Sequence, residues 1–320
     1  MQAETPGKDL EIIISESEIQ EGRLLPEHFR LAGLLLHTRG YVTLKRAIPA
    51  EIAQAAAAEF RRVYQDCLAS RQGDGWYQIA RETEAVFWER NCRWRIFPKL
   101  RPPFDSPWLL ANPFAVELLG FLLGDDFFCK FVSSDTCTKG ALMQSPHREL
   151  GIGKSWDPQS YIVNVPLCFS GLDNGPLEVW PGASHLWQNR LLNQLGLDTD
   201  VQDGRNPDFE EFASLFSSRR VVLEPGDLLI RDPGMMHRGT VNHTDEPRSL
   251  LTLCYFRCGH THDYGQAEYN LDRALWERLD PRCRRLFAHC FEKEEESAPA
   301  ERPVGLWERL RLLWSRPKSA

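Results

Sequence analysis

The chain has 320 residues, 42% of them hydrophobic, enough for a sizeable core in one large domain or two modest ones. A net charge of -7 and a pI near 5.8 give no general attraction to nucleic acid or to an anionic membrane. No run of eighteen apolar residues occurs, no basic-then-apolar leader is visible, and nine cysteines without a Cys-x-x-Cys pair read as reduced thiols; a cytoplasmic protein with no transmembrane segment is expected.

Residues 1–25 are acidic and mixed around one apolar run, Ile12-Ile13-Ile14, and read as an N-terminal arm, loose or docked at an edge. Gly40-Tyr41-Val42-Thr43-Leu44 alternates like a strand. Residues 49–70 are Ala-rich with Phe60, Val63 and Tyr64 on one face, which predicts a helix. Residues 72–104 hold Trp76, Tyr77, Phe87, Trp88, Trp94, Phe97 and Phe104 with poor periodicity. They read as a packed irregular segment, or as a lid or wall over a pocket that accepts an apolar or aromatic substrate group. Residues 107–124 predict a short apolar helix.

From Phe127 the texture changes. Apolar runs at 127–133, 160–168, 176–180, 219–223, 227–230 and 249–256 alternate with Gly, Pro, Asn and Asp turns, which argues for a sandwich or barrel rather than a parallel sheet. Helical patches interrupt at 184–195 and 207–216, and the chain is helical again across 271–291. Residues 294–300 look like a linker. Residues 305–314 form an amphipathic stretch that packs on the body, docks on a partner or touches a membrane surface. The division is an arm at 1–25, one domain at 26–292 with its β core at about 127–257, and a linker and tail at 293–320.

Two clusters carry the chemistry. In Gln144-Ser145-Pro146-His147-Arg148-Glu149, an extended backbone aims His147 and Glu149 to the same side, with Cα atoms ~6.5–7 Å apart, while Arg148 points away. Farther on, Glu224-Pro225-Gly226-Asp227 leads through Asp232-Pro233-Gly234 to His237, ninety residues past His147 and at the exit of a turn, and Arg248 opens the next apolar run. Two imidazoles and one carboxylate form a facial triad, the ligand set that leaves positions on iron(II) open for a bidentate 2-oxo acid and dioxygen. The far carboxylate of such an acid needs a fixed cation, and an arginine eleven residues past the last ligand suits it, since its planar fork donates two hydrogen bonds and keeps its charge.

These residues resemble the phytanoyl-CoA dioxygenase-like family of iron(II)/2-oxoglutarate oxygenases. The carriers are His147-x-Glu149, the segment Asn174-Gly175-Pro176 through Pro181-Gly182-Ala183-Ser184-His185, Gly226-Asp227 leading to His237, and Arg248. The resemblance implies a mainly β fold, a double-stranded β-helix (jelly roll, cupin-like) with flanking helices. It implies that His147, Glu149 and His237 ligate Fe(II), that Arg248 binds the distal carboxylate of 2-oxoglutarate with Gln144 also near that cosubstrate, and that O2 oxidises a small organic molecule. Glu149 stands where the family usually carries aspartate, and its extra methylene lengthens its reach.

His243 reads as loop surface, His185 as a turn residue, His260 and His262 as a loop pair, and Arg231 and Asp232 as partners of each other without a chemical role. Two rival functions use the same residues: a cupin-like metalloenzyme that needs no 2-oxo acid, and a catalytically degenerate binding or scaffold protein.

Overall fold

The computed structural model describes residues 10–149, 158–182, 189–196, 207–259 and 267–291; His185, His260, His262 and the tail at 293–320 lie outside them. The chain opens with strand β1 (Glu11–Ile13), helices α1 (Glu16–Glu21) and α2 (Pro26–Arg39), β2 (Tyr41–Lys45) and α3 (Ala50–Ser70). It continues through β3 (Gln78–Ile79), β4 (Val86–Arg90), β5 (Arg93–Phe97), α4 (Pro107–Leu110) and α5 (Pro113–Leu123). Then come β6 (Phe127–Cys137), β7 (Ser160–Pro166), β8 (Leu177–Val179), α6 (Asn189–Gln194) and α7 (Pro207–Ser214). The last elements are β9 (Arg219–Val221), β10 (Leu228–Arg231), β11 (His237–Gly239), β12 (Arg248–Arg257), α8 (Arg273–Arg278) and α9 (Pro281–Leu286).

The strands form a large sheet in the order β1-β2-β10-β7-β12-β6-β5-β4-β3 and a small one, β11-β8-β9. Late strands insert between early ones, with β10 between β2 and β7, and β12 between β7 and β6, all antiparallel. This crossing pattern is that of a jelly roll.

Side-chain parity decides the layers. Leu228 and Ile230 of β10 join Leu251, Leu253 and Tyr255 of β12 in the core shared with the helices. Leu229 and Leu250, one residue out of phase, join Leu177, Val179 and Val221 of the small sheet. The large sheet is therefore covered on both faces, which is why β7 and β12 are apolar runs rather than alternating ones. Tyr255 pins the helical layer by donating its hydroxyl to the Leu110 carbonyl at 2.8 Å. The Pro225-Gly226 turn is closed by the buried carboxylate of Asp227, which accepts from the Glu224 and Arg46 amides and pairs with Lys45.

The expectation for residues 72–104 does not hold: they extend the large sheet as the antiparallel strands β3, β4 and β5. The turn joining β4 to β5 is Asn91-Cys92 with both residues at positive φ, 55° and 60°, the mirror-image geometry that suits strand twist. Without a glycine there, the turn was invisible to the usual hairpin signal. Phe87, Trp94, Phe97 and Phe104 are buried core, so this stretch walls no pocket with aromatics. The predicted helix at 107–124 is two helices, because Asn112 stops the first and caps the second, accepting from the Phe114 and Ala115 amides. Asn112 also donates to the Ala47 carbonyl at 3.0 Å.

Asn270 carries a concentrated buried polar contact behind the sheet. Fully enclosed, it donates to the Pro98 and Val132 carbonyls at 2.9 and 2.7 Å and accepts from the Val132 amide at 3.3 Å. Asn270→Ala strands these backbone groups without water, a loss of roughly 2–4 kcal/mol. Thermal unfolding should shift down by roughly 5–15 °C; a shift within the error of the measurement would show that the groups re-pair.

Candidate metal centre

Two backbone clips bring the distant motifs together. His147 and His237 exchange amide-to-carbonyl hydrogen bonds, both at 2.9 Å, and the Glu149 amide donates to the Pro233 carbonyl at 3.1 Å. The hexapeptide thus zips onto the outer edge of the small sheet beside β11. The turn before His237 has Asp232 at its first position, Pro233 at its second and a Met235 amide to Asp232 carbonyl bond at 3.0 Å; the Asp232 carboxylate also accepts from the Gly234 amide at 2.7 Å. Arg148, pointing away from His147 and Glu149, is buried and donates Nε–H to the Gly234 carbonyl, clamping the same turn.

The side chains then converge. The ligand atoms of His147, Glu149 and His237 all lie within 4.8 Å of one another, and His237 Nε2 is 3.3 Å from Glu149 Oε1. The imidazole centroids are 4.5 Å apart. His147 Nδ1 faces the Ser145 carbonyl at 2.9 Å and His237 Nδ1 faces the Met235 carbonyl at 2.8 Å. A carbonyl only accepts, so each Nδ1 carries the proton and each Nε2 presents a lone pair. Such a set can hold a divalent transition metal and leaves coordination positions open.

Burial, then the charges of Arg231 and His147, push the His237 imidazole down to about 4. Burial alone works upward on the Glu149 carboxyl, but His237, His147 and Arg231 outweigh it and hold it well below the usual range. In metal-free protein, the unfolded chain protonates this imidazole near pH 6.5 and the folded chain only near pH 4. Between these values the unfolded state binds the extra proton, so stability conferred above pH 6.5 is lost as pH falls to about 4. Chelator-treated protein should lose up to ~1.4 kcal/mol per pH unit from this group. Comparing denaturation midpoints of wild type and His237→Asn across that window tests it; identical slopes would refute the assignment.

The triad opens on a cavity of about 350 Å³ between the two sheets. Its polar wall is Ser133, Ser134, Asp135, Asn164, Thr252, Arg95 and Arg231, and its apolar wall includes Phe131, Ile162, Leu177, Leu250 and Phe256. Cys254 also lines it, but burial pushes that thiol up to about 12, so it stays protonated. Gln144 lines the cavity too, with its amide donating to the Gly239 carbonyl at 3.0 Å and its Oε1 accepting from the Gly239 amide at 2.8 Å.

Arg248 opens β12 on the same face as Leu250 and Thr252 and is fully buried. Nε donates to the Gly175 carbonyl at 2.8 Å, and Nη1 to the Asp135 carbonyl at 3.0 Å with the Asp135 carboxylate at 3.3 Å. Nη2 is buried with no hydrogen-bond partner among the described residues. A guanidinium clamped on one side and bare at one nitrogen suits an incoming carboxylate. Burial works upward on Asp135, but the charges of Arg248 and Arg93 outweigh it and keep it a carboxylate. The Asn174-Gly175-Pro176 motif shapes this clamp. Gly175 sits at φ +85°, where a Cβ would lie 3.0 Å from Cys137 Sγ and 3.3 Å from the Thr240 carbonyl.

Among the cavity residues assigned no chemical role from the sequence are Arg231, Asn164 and Asp135. Arg231 does not merely pair with Asp232. It faces the triad, with Nη1 3.4 Å from His237 Nε2 and Nη2 3.8 Å from Glu149 Oε1. The signal was parity: Leu229 faces the small sheet, so Arg231, two residues on, shares its face. His243 is exposed in its loop. All nine cysteines are free, and among the described residues no helix is long and apolar enough to cross a membrane.

Dioxygenase af480 of Aspergillus fumigatus is 24% identical over 195 residues, covering 58% of this chain and 56% of that protein, so the alignment spans little over half of the relative's length. The epimerase SnoN, solved with Fe3+, alpha ketoglutarate and nogalamycin RO, matches 80% of this chain and 94% of its own at a TM-score of 0.54 and 17% identity. EctD from S. alaskensis with bound Fe matches 78% of this chain and 82% of its own at a TM-score of 0.53, also at 17% identity. At that identity these two share the fold. The family profile of phytanoyl-CoA dioxygenase matches residues 36–250, well over half of the chain. The chain therefore belongs to the phytanoyl-CoA dioxygenase family.

Proposed function

We propose that this chain is a dioxygenase that oxidises, by default hydroxylates, a small organic molecule, as a single oxygenase domain at residues 26–292 working in the cytoplasm. One observation supports it above the rest: the His147–Glu149–His237 donor set lines a cavity whose wall includes Asp135, and Asp135 is held from behind by Arg248, an arginine with a bare buried nitrogen, Nη2. A cupin-like enzyme that uses no 2-oxo acid has no need of the second feature.

In this reading His147, Glu149 and His237 hold Fe(II), and Arg248 takes the distal carboxylate of 2-oxoglutarate with Gln144 beside it. The bound iron supplies the redox chemistry that couples cosubstrate decarboxylation, to succinate and CO2, to oxidation of a substrate C–H bond. The chain's own residues do the rest. The Ser145 and Met235 carbonyls fix both imidazole tautomers, so neither histidine has to lose a proton before it can ligate. The apolar wall of Phe131, Ile162, Leu250 and Phe256 keeps water from the reacting carbon, while Ser133, Ser134 and Thr252 offer hydroxyls for orientation. The free thiols of all nine cysteines fit a reducing compartment.

The test is succinate release. Protein given Fe(II), 2-oxoglutarate and O2 should form succinate slowly on its own and faster with the right small molecule. No succinate over a broad metabolite screen, together with no iron uptake, would favour the scaffold reading; oxidation that proceeds without 2-oxoglutarate would favour the cupin-like one.

A further inference from the structure

Arg231 ends β10 with its side chain in the cavity and is only 6% exposed. Its guanidinium flanks the edge of the triad formed by His237 and Glu149, at 3.4 and 3.8 Å. From behind, Nε donates to Asn164 Oδ1 at 3.3 Å, and Asn164 Nδ2 donates to Thr252 Oγ1 at 2.8 Å. This row runs across β10, β7 and β12. It holds the guanidinium by a neutral bond and leaves both Nη groups toward the triad.

A buried cation needs a countercharge. Glu149 at 3.8 Å is too far for a hydrogen bond, and once it ligates a metal its charge is committed there. Asp135 and Asp232 also lie near Arg231, but the first is paired with Arg248 and the second closes its own turn, so the ion, Arg231 and Glu149 leave two positive charges in excess beside the open coordination positions. A carboxylate arriving at that face meets both the metal and the guanidinium.

We infer that Arg231 binds the carboxylate at the chelating end of the 2-oxo acid, opposite the end taken by Arg248. The inference rests on the Fe(II)/2-oxoglutarate reading above. A dicarboxylate would then meet Arg231 at its inner end, set by the row through Asn164 and Thr252, and reach toward Arg248 behind the Asp135 wall at its outer end.

The experiment is equilibrium dialysis of the full chain with Mn(II), first alone, then with 2-oxoglutarate and with 2-oxobutyrate. The latter keeps the chelating end and lacks the far carboxylate. Arg231→Met should hold Mn(II) at least as well as wild type, since a like charge has left, and should bind both 2-oxo acids roughly 10- to 100-fold more weakly. Arg231→Lys should recover part of this, keeping the charge without the fork. Arg248→Lys should weaken 2-oxoglutarate and spare 2-oxobutyrate. Equal 2-oxobutyrate affinity in wild type and Arg231→Met overturns the inference and leaves Arg231 to a substrate carboxylate. Loss of Mn(II) in the same variant overturns it too, marking a structural prop. If the methionine variant does not fold, the lysine variant decides: a several-fold loss with 2-oxobutyrate supports the inference and none overturns it. Wild type that takes Mn(II) but neither 2-oxo acid overturns the cosubstrate reading itself, and this inference with it.

Discussion

His237→Ala is expected to abolish iron retention and succinate formation while leaving the protein folded. The imidazole is one of two neutral nitrogen donors in a three-donor set, and the remaining pair, His147 and Glu149, cannot hold a divalent ion against water and chelating buffers. Iron affinity should fall by at least ~100-fold, a larger loss than the ~10–100-fold typical of residues that only support a ligand. The fold should survive because the clip between the two histidines is made of backbone groups, which alanine keeps. What is lost structurally is one hydrogen bond to the Met235 carbonyl, about 1–2 kcal/mol. Anaerobic iron titration and a melting curve on the same sample separate the two effects. A variant that binds iron as wild type does would remove His237 from the site.

The second large effect is expected at Arg248. If Arg248 takes the distal carboxylate as proposed, Arg248→Leu should raise KM for 2-oxoglutarate by roughly 100-fold or more, with a smaller change in kcat under saturation. It also releases Asp135, whose side chain is 44% exposed to the cavity, so its unpairing is partly screened and should lower stability by about 2 kcal/mol rather than the full cost of a buried orphan charge. Arg248→Lys keeps a charge, but one ammonium cannot reach the Gly175 carbonyl, Asp135 and a ligand together in the planar geometry of the fork. Its KM should lie between the two. Steady-state kinetics against 2-oxoglutarate decide the matter. A leucine variant with unchanged KM would detach Arg248 from the cosubstrate and revive the cupin-like alternative.

Glu149 illustrates how charge prepares the site. Its side chain is half open to the cavity and has Arg231 and two imidazoles as neighbours, so it stays ionised. The lowered His237 works in the same sense, keeping a lone pair free where a proton would otherwise compete with a metal.

What the chain's order of residues determined by itself was local. Apolar runs punctuated by turn residues marked β7, β8, β9, β10 and β12 to within a residue or two, and Asp232-Pro233-Gly234 announced the turn that delivers His237. The His147-x-Glu149 parity is likewise a property of three residues. Each of these patterns is written within one turn or one strand. Only the tertiary structure decided which distant strands pair and which face of each meets the cavity. That β4 and β5 extend the sheet depended on an Asn91-Cys92 turn stabilised by its neighbours, and that Arg231, Asn164 and Asp135 share a cavity with the triad depended on registers set between strands far apart in the chain. A slip of one residue in any of those registers would turn every such side chain to the opposite layer, and no local pattern carries that information.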